Sequence, residues 1–169
     1  MFNIVRKWLH PFVRCFSTLI LSMVLGVPVA DAASYTLSAD GQEVTDTQRG
    51  LIWRRCAEGL LWDGSACNGT TIYYTHALAL QRAASVATTT AMAWRLPNVK
   101  ELLSIVDENR ADPAIDIVAF PSTPSSGFWS SSPYVGDASG AWFVYFYYGN
   151  VGGGNRDLNY AVRLVRASQ

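Results

Sequence analysis

The amino-acid sequence predicts a single α+β domain: two helices packed on a small antiparallel sheet, with long loops and one disulfide, after an export signal. The length of 169 residues suits one domain with a sizeable core. Short β-like segments stand at both ends of the domain, and two helical segments lie between them. Equal numbers of basic and acidic residues, 13 of each, argue against a nucleic-acid-binding protein. The 12% aromatic content argues against a disordered chain.

The first 32 residues are predicted to be a signal peptide. Three basic residues and no acidic residue stand in the first fourteen positions, and an uncharged apolar stretch precedes small residues at Ala30 and Ala32. This order is typical of a secretory signal cleaved after Ala32. A membrane anchor is the alternative, but Pro28 interrupts the stretch, which is shorter than the ~20 residues that a spanning helix needs. We therefore expect a secreted or periplasmic protein with no membrane span after cleavage.

The remaining domain, residues 33–169, is slightly acidic and keeps two cysteines. Cleavage removes three of the 13 basic residues and one of the 13 acidic residues, which leaves a net charge of −2. In an exported protein, the lone pair Cys56 and Cys67 predicts a disulfide. A redox or metal-binding pair is the alternative, although the spacing is not C-x-x-C and His76 is the one histidine left.

The first part of the domain is predicted to form strands and a loop. Residues 35–56 alternate β-like pieces with turn signals, among them the hairpin-type dipeptide Asp40-Gly41. Residues 51–54 (LIWR) are predicted to form a strand. Residues 56–71 are rich in Gly, Asn and Ser, which predicts a loop held by the disulfide.

Two helices are predicted in the middle of the domain. Residues 75–87 contain regularly spaced apolar side chains and no Gly or Pro, with Thr75 as the cap. The second helix begins at Asn98, because Glu101 three residues later completes a variant of the capping box.

The last part of the domain is predicted to form loops and strands. Three prolines place residues 109–127 in a loop. Strands are predicted at residues 128–131, 141–148 and 160–166, which are rich in aromatic and β-branched side chains. The Gly/Asn-rich residues 149–159 are predicted to form a flexible hairpin loop, across which the last two strands pair antiparallel.

Five segments, in order, resemble the motifs of one family. They are residues 47–53 (TQRGLIW), 94–102 (WRLPNVKEL), 128–132 (FWSSS), 141–149 (AWFVYFYYG) and 162–166 (VRLVR). Together they are similar to the DUF1566 family, also called the Lcl C-terminal domain family. The resemblance covers about residues 43–167, nearly the whole exported chain. It departs from the family pattern at Leu164, where the last motif usually has Cys.

The resemblance implies a C-type-lectin-like fold related to that of the formylglycine-generating enzyme. The best-described members are bacterial surface adhesins in which this domain contributes to binding sulfated glycans and host surfaces. We therefore expect a secreted, non-catalytic module of adhesion type that recognises carbohydrate or another surface polymer. A structural or protein-interaction domain of the cell envelope is one alternative, and a hydrolase or oxidase is another. The ligand and the oligomeric state stay open.

The candidate ligand-binding residues combine aromatic rings for sugar faces with polar groups for hydroxyls and anions. They are Tyr134, Tyr145, Tyr147, Asn155, Arg156 and Arg163. The competing explanation for the arginines is internal ion pairing, and Trp94, Leu96, Trp129 and Trp142 are expected to belong to the core.

No catalytic residue, cofactor or metal site is expected. The sequence contains no G-x-S-x-G or H-E-x-x-H motif. His76 is predicted to lie on an exposed or half-buried helix face without a partner. A cluster of oxygen-bearing side chains keeps Ca²⁺ as an alternative, although its spacing does not follow the calcium-loop pattern. These residues are Asp107, Glu108, Asn109, Asp112 and Asp116.

Overall fold

A computed structural model of the protein describes residues 35–168. The predicted signal peptide, residues 1–32, lies outside the described residues. Within residues 35–168, no helix is long and apolar enough to cross a membrane.

Residues 35–168 form two helices and nine short strands, which confirms the predicted mixture of α and β structure. The helices are α1 (His76–Thr90) and α2 (Val99–Leu103). The strands are β1 (Tyr35–Leu37), β2 (Glu43–Asp46), β3 (Leu51–Arg54), β4 (Leu60–Trp62), β5 (Cys67–Gly69), β6 (Gly127–Pro133), β7 (Gly140–Tyr145), β8 (Asn150–Asn155) and β9 (Val165–Ala167).

The nine strands in residues 35–168 form three small antiparallel sheets rather than the one predicted sheet. The first has the order β1-β2-β3-β9, so the beginning and the end of the domain pair in one sheet. The second is the hairpin β4-β5, and the third has the order β6-β7-β8. The prediction that the last two strands pair with each other is wrong, because β7 lies between β6 and β8 whereas β9 pairs with β3.

The predicted flexible loop at residues 149–159 is also wrong, since it contains strand β8. All six residues of β8 pair with β7, and three of them are glycines. The glycines leave room for aromatic rings on the neighbouring segments. A Cβ on Gly152 would lie 2.8 Å from Cζ of Phe143, and one on Gly153 would lie 2.7 Å from the ring of Tyr134. Ring packing therefore helps to hold a strand whose glycines and asparagines have little β propensity.

The segment from Cys56 to Thr71, predicted as a loop held by the disulfide, contains a β-hairpin. Strands β4 and β5 pair in it, and Asp63 Oδ1 accepts hydrogen bonds from the backbone N–H groups of Ser65 and Ala66 in the turn. The predicted disulfide between Cys56 and Cys67 is confirmed. It ties the second strand of the hairpin to the chain that leaves β3.

Both helix starts are confirmed. Thr75 Oγ1 accepts a hydrogen bond from the Leu78 N–H, and α1 runs to Thr90, three residues beyond its predicted end. Asn98 Oδ1 accepts from the Glu101 N–H at 2.9 Å, and Glu101 Oε2 accepts from the Asn98 N–H at 2.8 Å. Such a cap stabilises a helix by about 1 kcal/mol, which matters for a helix of five residues.

Two buried clusters form the core of the described residues. The first contains Trp53, Leu102, Ile115, Phe120, Phe128, Val144 and Phe146 among others. The second packs α1 against Trp94, Leu96, Trp129, Val162 and Leu164. The sheet β6-β7-β8 contributes side chains to both clusters. Its exposed residues lie at the end of β6, on strand β8 and in the turn between β7 and β8.

Candidate functional site

Three tyrosines cluster at the turn between β7 and β8, and we call Tyr145, Tyr147 and Tyr148 the tyrosine shelf. The rings of Tyr145 and Tyr147 are nearly parallel, with centroids 6.1 Å apart. The ring of Tyr148 meets that of Tyr147 edge-on at 4.4 Å. Tyr145 is 39% exposed and Tyr148 is 66% exposed. Tyr147 is half-buried between them, so the structure presents two exposed rings and one partly exposed ring side by side, and the sequence nominated Tyr145 and Tyr147.

The backbone around the shelf is fixed by hydrogen bonds and by one buried ring. Phe146, between the exposed tyrosines, is fully buried and meets Phe128 edge-on at 5.1 Å. The Phe146 N–H donates to the Ser126 carbonyl, and the Gly149 N–H donates to the Tyr145 carbonyl. The Tyr147 carbonyl accepts from the Asp112 N–H. The rings are therefore held on a rigid support, which lowers the entropy lost on ligand binding.

The hydroxyl group of Tyr147 stays protonated at neutral pH. The neighbouring Tyr148 phenol and the Asp112 carboxylate raise the pKa of Tyr147 above its usual value. A protonated phenol can both donate and accept a hydrogen bond. The shelf thus combines flat apolar faces with polar edges.

The structure separates the shelf from the other nominated residues. Asn155 pairs with Gly140 at one end of the β7-β8 ladder, whereas Asn150 pairs with Tyr145 at the other end. Five residue steps along a strand span about 17 Å. Tyr134 and Arg156 therefore belong to a second group at the far end of β8, and the nominated residues do not form one site.

The polar side chains of this second group are engaged internally. Arg156 Nε donates to the Gly140 carbonyl at 3.0 Å. Asn155 Oδ1 accepts from the Asp157 N–H at 2.9 Å. Tyr134 is half-buried, and its ring meets that of Trp142 edge-on at 4.7 Å. These polar groups are therefore used within the protein, although Asn155 itself is exposed.

Arg163 does not reach the surface, which corrects its nomination as a ligand-binding residue. Its side chain is fully buried and donates to Thr123 Oγ1 at 2.7 Å and to the carbonyls of Arg54 and Arg55. Its guanidinium also lies over the ring of Phe120, 4.8 Å from the centroid. Burial lowers the pKa of Arg163 to about 9. The fold uses this arginine to join three backbone segments.

Residues 42–166 match the family model of the Lcl C-terminal domain. The match covers more than half of the chain. The chain belongs to the Lcl C-terminal domain family. No curated protein is significantly similar to it.

The motifs of the Lcl C-terminal domain lie mostly in its core. Trp94, Leu96 and Trp129 are buried as predicted, and Trp142 is half-buried. Arg95 makes an ion pair, with both of its terminal nitrogens 2.8 Å from the two carboxylate oxygens of Glu101. The Arg95 side chain is 45% exposed, so we assign this pair little stability beyond its support of the α2 cap.

His76 is buried in this domain, which corrects the prediction of an exposed or half-buried face without a partner. Its Nε2–H donates to the Ser130 carbonyl at 3.0 Å, and its ring meets that of Trp129 edge-on at 5.3 Å. Burial lowers the pKa of His76, and the charge of Arg156 adds to this effect. The neutral imidazole therefore acts as a packing element that joins α1 to β6.

A polar cleft of about 310 Å³ escaped the sequence reasoning. Glu58, which is buried, accepts from Arg82 Nε at 2.6 Å, and Tyr74 lies beside this pair. Burial and the charge of Glu58 raise the pKa of Tyr74. Glu58 and Arg82 are 24 residues apart in the sequence, so no local motif predicts that they pair. The one sequence feature that could have drawn attention to the cleft is Glu58, an acidic residue two positions after Cys56.

The acidic residues that kept Ca²⁺ as an alternative do not form a metal site. Among residues 35–168, no group of three or more His, Cys, Asp or Glu side chains could hold a metal ion. Asp107 and Asp116 instead accept hydrogen bonds from backbone N–H groups two residues further on. These carboxylates stabilise turns of the loop.

Proposed function

We propose that this protein is a secreted or periplasmic, non-catalytic module that binds carbohydrate or another surface polymer through the tyrosine shelf. The observation that carries the proposal is the cluster of Tyr145, Tyr147 and Tyr148 on a rigid turn. Aromatic faces pack against the apolar faces of sugar rings, and phenol groups reach hydroxyls at the ring edge. Exposed aromatic clusters of this kind mark interaction sites.

The charge of the domain favours a neutral or weakly charged polymer at this site. The Asp112 carboxylate, whose charge raises the pKa of Tyr147, repels anions at the shelf. Arg163, the nominated anion-binding group, is buried. A sulfated glycan therefore has less support at the shelf than an uncharged polysaccharide.

The proposal of an exported protein rests on the apparent signal sequence and on the disulfide. A disulfide such as Cys56–Cys67 persists in oxidising compartments and is rare in the cytosol. We also propose that the fold is C-type-lectin-like. Pairing of the first and last strands in one sheet and two helices beside long loops support this assignment.

Two features support a non-catalytic role. His76, the one histidine of the exported chain, is neutral and held by a backbone carbonyl. In the cleft, Glu58 is engaged by Arg82, so it is not poised as a free acid or base. Activity against a panel of glycosides and esters, lost on substitution of Glu58, would overturn this part of the proposal.

A glycan array probed with the exported protein tests the function directly. We expect binding to polysaccharides, with neutral polymers retained when the salt concentration is raised, because stacking is insensitive to ionic screening. Binding only to heparin and only at low salt would move the site to the basic residues and away from the shelf. No binding to any polysaccharide would contradict the carbohydrate proposal.

The same shelf also suits a protein partner, since tyrosines are enriched at the energetic centres of protein interfaces. This alternative is distinguished by capture from envelope extracts of the exporting cell. One stoichiometric protein partner, lost on substitution of Tyr148, would favour it over carbohydrate.

A further inference from the structure

The polar cleft beside α1 is separate from the tyrosine shelf and has the composition of a small-molecule site. Its volume of about 310 Å³ is at the lower end of the range for ligand pockets. The cleft lies between the end of β3, the β4-β5 hairpin and helix α1. Arg54, Glu58, Leu61, Ile72, Tyr74 and Arg82 line it.

Arg54 is the unpaired cation of the cleft. Among residues 35–168 its guanidinium makes no hydrogen bond or ion pair, and its Nε is buried without a partner. The group is held in place by the ring of Trp94, whose centroid lies 5.2 Å from Cζ. Stacking on a ring leaves the edge of a guanidinium free to form two parallel hydrogen bonds with a carboxylate.

The carboxylates near Arg54 are already engaged. Glu43, its cross-strand neighbour, accepts from Arg166 at 2.6 Å, and Glu58 accepts from Arg82 at 2.6 Å. Among the residues that line the cleft, two guanidinium groups, those of Arg54 and Arg82, thus face one carboxylate, that of Glu58, and Arg54 is left without an anionic partner.

The wall of the cleft is apolar. Leu61 is 69% exposed and Ile72 is 47% exposed, so both aliphatic side chains are available to a ligand in the cleft. We propose that the cleft binds a small organic acid, whose carboxylate pairs with Arg54 and whose apolar body packs against Leu61 and Ile72. Arg82 and Glu58 neutralise each other and shape the floor.

The test uses 3-phenylpropanoate and 4-methylpentanoate, with their uncharged amides as matched ligands. Each is titrated into the ¹⁵N-labelled protein while backbone amide shifts are followed. We expect both acids to shift the amide signals of Ile72 and Tyr74, and the amides to bind at least about tenfold more weakly because the charge-assisted pair is absent.

Arg54→Gln is expected to weaken acid binding at least about tenfold, which corresponds to the loss of a charged hydrogen-bonding partner. Arg110→Gln is the matched control, since Arg110 is exposed, lies outside the cleft and loses the same charge. Leu61→Asp tests the apolar wall at a position that the core does not need, so it remains informative if Arg54→Gln does not fold.

Three results would overturn the proposal. The first is equal binding of acids and amides, and the second is unchanged affinity in Arg54→Gln or Leu61→Asp. The third is that neither acid shifts the amide signals of the cleft at concentrations up to about 10 mM, which would mean that any affinity is negligible.

Discussion

The guanidinium of Arg163 is enclosed by backbone and by aromatic rings. Two carbonyls and the Thr123 hydroxyl accept its hydrogen bonds, and its Nε has no partner among the described residues. Lysine carries a single terminal nitrogen, which cannot occupy the positions of both Nη1, bonded to the two carbonyls, and Nη2, bonded to Thr123. We therefore expect Arg163→Lys to lower the free energy of unfolding by about 2–4 kcal/mol.

Urea denaturation measures this effect, and Arg110→Lys is the exposed control. An unchanged midpoint in Arg163→Lys would show that the charge alone, rather than the planar fork, holds the three segments together.

His76 makes the stability of the domain sensitive to mild acid. Burial lowers its folded-state pKa, so the unfolded chain binds the proton more readily than the folded one. The contribution is complete above the unfolded value near 6.5 and is lost as the pH falls through the lower folded value. We expect the melting temperature to drop between pH 7 and 5 in the native protein.

His76→Gln keeps a side-chain N–H for the Ser130 carbonyl but does not titrate. Its melting temperature should therefore depend less on pH over the same interval, which lies above the ordinary range of Asp and Glu. Parallel pH profiles of the two proteins would contradict this assignment.

At the scale of elements, strand β8 depends on the absence of side chains. A Cβ on Gly153 would stand 2.7 Å from the ring of Tyr134, which itself packs edge-on against Trp142. Gly153→Ala should therefore displace the ring and destabilise the domain by about 1–3 kcal/mol. The matched control is Val151→Thr, an exposed position on the same strand.

Thermal unfolding measures the loss of stability, and the assigned indole N–H signal of Trp142 in a ¹⁵N spectrum reports the displacement of the Tyr134 ring. If Gly153→Ala is as stable as Val151→Thr and leaves this signal unchanged, the close packing of Tyr134 on β8 does not hold the strand.

Some elements could be predicted because their signals are local. The cap at Asn98 and Glu101 needs only a three-residue spacing, and the helix starts there as predicted. Strand β8 could not be predicted, because glycines carry no strand signal and the rings that hold it come from other segments. Likewise, the burial of His76 and Arg163 depends on tertiary packing, which no local pattern of the sequence expresses.

The candidate sites follow the same division. Tyr145 and Tyr147 could be nominated because they lie near the end of a predicted strand, beside a predicted loop. Their contact with Tyr148 depends on the geometry of the turn. The cleft could not be nominated, because the groups that form it come from β3, the β4 hairpin and α1.

At the scale of the whole molecule, the disulfide constrains a small domain. Cys56 and Cys67 are 11 residues apart, and closing a loop of this length contributes roughly 2–3 kcal/mol by the chain-entropy argument. We expect the double variant Cys56→Ala/Cys67→Ala to fold with a free energy of unfolding lower by that amount. Chemical denaturation with and without reductant checks this, since reductant should affect only the native protein. A double variant as stable as the native protein would contradict it.

The central claim is that the tyrosine shelf binds a carbohydrate polymer. The test is a calorimetric titration with the polysaccharide that binds most tightly on the array. It compares Tyr147→Ala/Tyr148→Ala with the control Tyr73→Ala, a substitution of a tyrosine that is 45% exposed elsewhere on the surface. Because two stacking rings are lost, the shelf variant should bind at least about tenfold more weakly, while the control keeps the native affinity. Equal affinity of the shelf variant and the native protein would contradict the account.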